Sequence, residues 1–252
     1  MHPIIFSIGK LTIFSYGFFI ALAFFTAIAY LSNQIKKSKE KIVSQDELYS
    51  LFVYIIIFGI IGARLLFIFL NPQDFALDFM LVFKLWKGGL TYYGGFIATV
   101  IFVLVYVIIK KISILKLGDF FAPALALGHA IGRIGCFFAG CCYGKKTNVA
   151  WSVIFRDKSS LADLGVRLHP TQLYEAFGNF LIFFLLYFYS KKEREKGFLI
   201  SFFFISYAVL KFTVEFFRGD PDRGRQYFGL SVSQILSLIL FIIGASMACK
   251  KK

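Results

Sequence analysis

LFVYIIIFGIIGARLLFIFL, from Leu51 to Leu70, is an apolar run interrupted by a single charge, Arg64. In a helix, about 20 such residues rising about 1.5 Å each cover the roughly 30 Å hydrocarbon core of a bilayer. A soluble core helix needs no uncharged stretch of that length. The run therefore predicts a membrane span over 48–70. Similar runs recur at 11–31, 90–109, 117–143, 171–190, 198–217 and 230–248, each bounded by polar breakers. QIKKSKEK, the Asn71–Pro72 pair, WKGG, KKISILK, KKEREK and RGDPDRGR mark the breaks. The expected fold is an all-α polytopic membrane protein of about seven transmembrane helices, forming a single transmembrane domain over 1–252. No internal repeat is visible, so the two-fold plan of many transporters is not expected.

Composition agrees. The 252 residues are 58% hydrophobic, with 34 Phe and 13 Tyr, and only 17% charged, too few charges to solvate a soluble surface of this size. No cleavable signal peptide is expected, because the first apolar run is long and lacks a processing site. The net charge of +14 does not imply nucleic acid. Its lysines and arginines are scattered over short loops, as on membrane proteins facing anionic lipid. They are densest in loops 32–47, 110–116 and 191–197 and in the C-terminal tail. The positive-inside rule makes that side cytoplasmic and puts the N-terminus outside. The longest loop, 144–170, then faces outward, where VAWSVIF at 149–155 suggests a short strand in a small extracytoplasmic head.

Charges inside spans are costly and each needs a reason. Arg64, His129, Arg133, Glu175, Lys211, Glu215 and Arg218 all fall at one depth, in the outer half of their spans. Asp119, at the inner end of span 4, is the exception. An i,i+4 pair of Lys211 with Glu215 and a snorkelling Arg64 would explain individual members. Taken together, four fixed cations outnumber two carboxylates, and surplus buried cations invite an anion such as a lipid phosphate. Lys211, Glu215 and Arg218 lie on one helix face, as do His129, Arg133, Cys136 and Gly140. Gly128 and Gly132 form a small-xxx-small pair that would let a helix or ligand approach the backbone. GGLTYYGG at 88–95 sets Tyr92 and Tyr93 between glycine pairs at the outer start of span 3. Cys136, Cys141 and Cys142 form no CxxC pair; their spacing fits zinc poorly, and a disulfide or simple packing are the other readings.

With these residues assembled, the chain resembles the phosphatidylglycerol–prolipoprotein diacylglyceryl transferases of bacterial inner membranes. The resemblance rests on FSYG at 14–17, GGLTYYGGFI at 88–97, DFFAP at 119–123, GRIGCFFAGCCYG at 132–144, HPTQLYEA at 169–176, VEFFRGDPD at 214–222 and SVSQILSL at 231–238. It implies transfer of the diacylglyceryl group of phosphatidylglycerol to a lipobox cysteine thiol of a prolipoprotein, with release of glycerol phosphate. No metal and no organic cofactor is implied. The location implied is the inner membrane. By position, Arg133 corresponds to the phosphate-binding arginine, Gly144 closes its motif, Tyr16 precedes Gly17, and His169 and Glu215 fall on the pattern. The catalytic set so implied is Tyr93, Arg133, Lys211, Tyr16 and Cys136. Arg133, Gly144, Arg64, His169, Glu215 and Arg218 form the substrate-binding set. The chain departs from the family at Tyr93, usually histidine; Cys136, usually asparagine; Lys211, usually arginine; and Cys141, commonly acidic. Tyrosine's unperturbed pKa of about 10 makes it a poor base at neutral pH. These departures leave two other readings open: a relative with another acceptor, and a non-catalytic lipid-binding or transport protein.

Overall fold

The computed structural model describes residues 2–9, 11–38, 42–76, 79–84, 88–220 and 226–249. Parts of three predicted breaks, at 39–41, 86–87 and 221–225, lie outside them. In chain order the elements are strands β1 (Ile4–Ile8) and β2 (Leu11–Phe14), then helices α1 (Ser15–Lys37), α2 (Gln45–Leu70) and the short α3 (Pro72–Ala76). After a 3-10 turn at Phe79–Phe83 come α4 (Tyr92–Lys110) and α5 (Ile114–Ala139), then strands β3 (Val153–Ile154) and β4 (Arg167–Leu168). Helices α6 (Thr171–Ser190) and α7 (Phe198–Glu215), strands β5 (Gln226–Tyr227) and β6 (Leu230–Ser231), and helix α8 (Val232–Cys249) complete the chain. Among the described residues seven helices, α1, α2 and α4–α8, are long and apolar enough to cross a membrane.

Three boundaries differ from expectation by four residues or more; the end of α1 at Lys37, six past the expected 31, carries Gln34–Lys37 of the QIKKSKEK break into the helix. The first helix starts at Ser15, because Leu11–Phe14 pairs with Ile4–Ile8 as an antiparallel hairpin. The helix predicted over 117–143 ends at Ala139, where Gly140 takes φ +81° and Cys142 φ +58°. Left-handed residues terminate helices, and glycine does so at least cost.

The chain forms two compact units, residues 34–117 and residues 1–33 with 118–252. In the first, α2 and α4 run antiparallel. Ser44 caps α2 reciprocally with Glu47, and Glu47 Oε1 accepts from Lys110 Nζ at the far end of α4, 2.8 Å away. At the opposite end Thr91 N–H donates to the Ala63 carbonyl at 3.1 Å. Between these ties the backbones nearly touch: a Cβ on Gly95 would stand 2.8 Å from the Gly59 carbonyl oxygen, and one on Gly62 would strike Gly94. Lipid tails are as apolar as leucine, so close backbone packing rather than water exclusion holds such helices together.

In the second unit α5, α6 and α7 share a core of Ala122, Ala126, Ile182, Leu186, Leu199, Ile200 and Phe203. Helix α8 packs along α7, with Ser201 Oγ donating to the Gly244 carbonyl at 2.7 Å. Asp119 finds its reason here: its carboxylate accepts the Ile200 N–H at 2.9 Å and the Gly197 N–H, capping α7. Three stretches weave a small head. Gly144 N–H donates to His169 O, Lys145 N–H to Phe217 O, and Gly219 N–H to Tyr143 O. The predicted strand in VAWSVIF is β3, paired antiparallel with β4, over a core of Tyr143, Phe155, Ala162 and Leu168.

Candidate active site

Glu175 sits on α6, 2% exposed. Two cations from different helices converge on it. Lys211 Nζ, from α7, donates to Oε1 at 2.8 Å. Arg133 Nε, from α5, stands 2.8 Å from Oε2 as an ion pair. The expected Lys211–Glu215 pair within α7 is not the one formed. Glu215 instead faces Arg218, at 3.5 Å. Arg218 is further gripped by Asp220, Nε to Oδ1 at 2.8 Å and Nη2 to Oδ2 at 2.7 Å. Burial alone would lower the Arg218 pKa; the Asp220 carboxylate outweighs it and holds the guanidinium above its ordinary value.

The expected surplus of cations is therefore local, not general. Arg218 has two carboxylates beside it, whereas Arg133 and Lys211 share one, a net positive charge. Among the described residues no acceptor is recorded on Arg133 Nη1 or Nη2. Its side chain keeps 18% of its surface exposed. Guanidinium presents its N–H groups as a planar fork matched to phosphate or carboxylate oxygens. Held at Nε, Arg133 has both ends of that fork to offer. His129, one turn earlier, packs its ring on Tyr207 with centroids 5.0 Å apart.

Arg64 departs from expectation. In the 34–117 unit its Nε donates to Val82 O at 3.1 Å, Nη1 to Gly88 O at 2.7 Å and Gly89 O at 2.9 Å, and Nη2 to Leu81 O. Every guanidinium nitrogen thus serves a backbone carbonyl of Leu81, Val82, Gly88 or Gly89, and the residue acts as a local clasp. Tyr93 is in the same unit, half-exposed on the first turn of α4, edge-on to Tyr92.

The remaining expected residues are set as follows. Tyr16, at the start of α1, is within electrostatic range of Arg133 and of the three thiols. The close approach expected at Gly128 and Gly132 occurs instead at Gly135, whose Cβ would stand 2.8 Å from Phe19 Cβ; Gly128 has nothing within 4 Å. Phe19 and Phe138 stack, centroids 5.2 Å apart, and with Ile4, Ile5 and Phe18 they line a mostly apolar recess whose wall also holds His2 and Ser15. Gly144 admits no side chain, since a Cβ would meet the His169 and Phe217 carbonyl oxygens at 2.6 and 2.8 Å. His169 Nδ1 is 3.1 Å from Tyr174 Oη, which accepts from Trp151 Nε1 at 2.7 Å.

All four cysteines are free, so the disulfide reading does not hold here. The Sγ atoms of Cys136, Cys141 and Cys142 lie within 4.8 Å of one another. Hydrogen bonding to the Cys136 and Cys142 thiols pushes the Cys141 pKa up. Hydrogen bonds from Cys136 and Cys141, with Arg133 and Arg218 nearby, hold Cys142 well below its ordinary value.

Sequence reasoning missed Asp220, Thr171 and Gln172. Asp220 stands in the RGDPDRGR break and in the VEFFRGDPD motif with no role assigned to it, although an Arg-x-Asp spacing signals a local ion pair. Thr171 Oγ1 and Gln172 Nε2 donate to the carbonyls of Cys142 and Cys141, each at 2.7 Å. No local pattern announces contacts between residues this far apart in the chain.

Seven apolar helices and a buried, unevenly paired ionic cluster define a multi-pass membrane protein with a polar site among its helices. Residues 3–250 match the family model described as prolipoprotein diacylglyceryl transferase. The chain belongs to that family. It is 38% identical to the phosphatidylglycerol–prolipoprotein diacylglyceryl transferase of Clostridium tetani, over 97% of this chain and 95% of the relative. The enzyme of that name from Finegoldia magna is 35% identical, over 100% and 96%. A Clostridium perfringens protein named phosphatidylglycerol–prolipoprotein diacylglyceryl transferase 2 is 34% identical, over 97% and 93%.

Proposed function

We propose that this chain transfers the diacylglyceryl group of phosphatidylglycerol to the lipobox cysteine thiol of a prolipoprotein. The cysteine sulfur attacks the glyceryl carbon, an S–C bond forms, and the C–O bond to phosphate breaks. The electron pair of that bond leaves on glycerol phosphate, and the thiol proton passes to a base. Negative charge thus grows on the departing phosphate. A fixed guanidinium in a low-dielectric site stabilises it without having to reorganise.

The observation that carries this reading is the state of Arg133: pinned by Glu175 through Nε, with no acceptor on either Nη among the described residues, so that both are offered to phosphate oxygens. Lys211, on the other oxygen of the same carboxylate, adds charge to that pocket. Glu175 orients both cations and does not fully neutralise them. Tyr16 and Cys136 act electrostatically on Arg133. Glu215, Arg218, Gly144 and His169 keep the head in place against α7. Tyr93 is assigned to the thiol substrate as a hydrogen-bonding group. Arg64 enters as the clasp that holds the segment leading to Tyr93, not as a phosphate ligand. The apolar recess beside Phe19 and Phe138 suits an acyl chain. The same reading treats the chain as one transmembrane domain of the cytoplasmic membrane, N-terminus outside and C-terminus cytoplasmic.

Complementation tests it. Expressed in cells depleted of their own transferase, the wild-type chain should restore lipidated prolipoprotein, seen as a mobility shift. Arg133→Ala should not, and Tyr93→His should keep or improve rescue. A well-expressed wild type that fails to rescue would remove the transferase reading in favour of a non-catalytic lipid-binding protein.

A further inference from the structure

The proposed transfer gives no part to Cys141 and Cys142 and does not explain why Cys136 clusters with them. Cys136 lies on the last turn of α5, and Cys141 and Cys142 follow the reversal at Gly140. That reversal carries a non-glycine residue, Cys142, at φ +58°. For such a residue the left-handed conformation costs roughly 1–2 kcal/mol and persists only where its surroundings impose it. Here they do: buried Thr171 and Gln172 fasten the two adjacent carbonyls, and the three Sγ atoms converge to within 4.8 Å of one another.

Three sulfurs bound to one ion at about 2.3 Å would stand about 4.0 Å apart in a trigonal plane. The limit of 4.8 Å within which all three sulfurs already lie encloses that spacing. A disulfide would require two of the sulfurs to close to about 2.05 Å. We propose that Cys136, Cys141 and Cys142 bind one thiophilic closed-shell cation, copper(I) or zinc(II), as a three-thiolate site. Soft thiolate ligands select these ions over magnesium or calcium. Three thiolates leave a bound monovalent or divalent cation with excess negative charge, and Arg133 and Arg218, both acting electrostatically on Cys142, offset it. Among the described residues no histidine or carboxylate joins the cluster. Copper(I) is content with three sulfurs, while zinc(II) would take its fourth ligand from solvent or substrate. An ion there would tie the 140–144 loop to the helix end that carries Arg133. The inference does not depend on the transferase reading.

The full-length protein, reduced in detergent and stripped with chelator, would be titrated without oxygen with copper(I) or zinc(II) against a chromophoric competitor. One ion per chain should bind. Cys136→Ser and Cys142→Ser should each weaken binding roughly 100-fold, at least what loss of an outer-shell partner costs. Cys249→Ser, at the exposed end of α8, should not. Because a serine variant can misfold, alkylation of the wild type gives a second readout. The bound ion should protect the peptides carrying Cys136, Cys141 and Cys142 from N-ethylmaleimide and leave Cys249 reactive. Binding of one of the two ions alone would support the site and name its occupant. The proposal falls if neither ion alters alkylation, if the triple serine variant still binds stoichiometrically, or if the isolated protein contains a disulfide among the three.

Discussion

Arg133 and Lys211 reach Glu175 from separate helices, and this sharing is what leaves charge over for a ligand. Glu175→Gln would set two cations side by side with no carboxylate between them. Breaking a buried pair in this way costs about 3–5 kcal/mol. The variant should unfold at markedly lower temperature in detergent, and a normal melting curve would show that the cluster is not coupled as described. Lys211→Arg, by contrast, keeps the charge and adds a fork, so transfer should persist. At this scale the sequence was informative about which residues matter and silent about who meets whom. Lys211 and Glu215 are one turn apart on a helix, yet lysine turns to another helix. Partner choice between helices depends on rotation and tilt, which residue spacing within one helix does not encode. Arg64 shows the same limit. Its charge marked it as unusual, but only the structure reveals that the carbonyls of Leu81, Val82, Gly88 and Gly89 consume its donors.

Helices show where reading was easy and where it failed. Long apolar runs fixed the number of spans because hydrocarbon thickness demands a minimum length. Their ends were harder. Leu11–Phe14 is as apolar as a helix start but pairs as a strand, and Cys141–Tyr143 is apolar enough to continue α5 yet lies past a reversal. Hydropathy does not register backbone handedness. Glycines were misplaced for a related reason: Gly128 and Gly132 carry the familiar spacing, while the close contact is at Gly135. Gly128→Ala should therefore be neutral or stabilise by up to about 1 kcal/mol through helix propensity. Gly95→Val should destabilise the α2–α4 pair by about 1–3 kcal/mol or more through overpacking. Thermal unfolding of the two variants side by side checks the contrast. Asp119→Ala should uncap α7 and cost about 0.5–2 kcal/mol; hydrogen exchange at Gly197 and Ile200 would rise first.

Across the whole molecule, the chain divides its work between a head woven from 143–145, 168–169 and 217–219 and the helices that carry charge into the membrane. The basic loops predict that a fluorescent protein fused after residue 249 folds in the cytoplasm and glows. Alkaline phosphatase inserted at Lys158, in the 144–170 loop, should be active outside. The reverse pattern would invert the proposed orientation. The central claim, that Arg133 holds the departing phosphate, is tested most directly by transfer from labelled phosphatidylglycerol to a lipobox peptide with purified wild type and Arg133→Ala. Removing a preorganised charge from such a site should lower turnover by about 100-fold or more, with a melting temperature near that of wild type. Transfer by Arg133→Ala at the wild-type rate would contradict it.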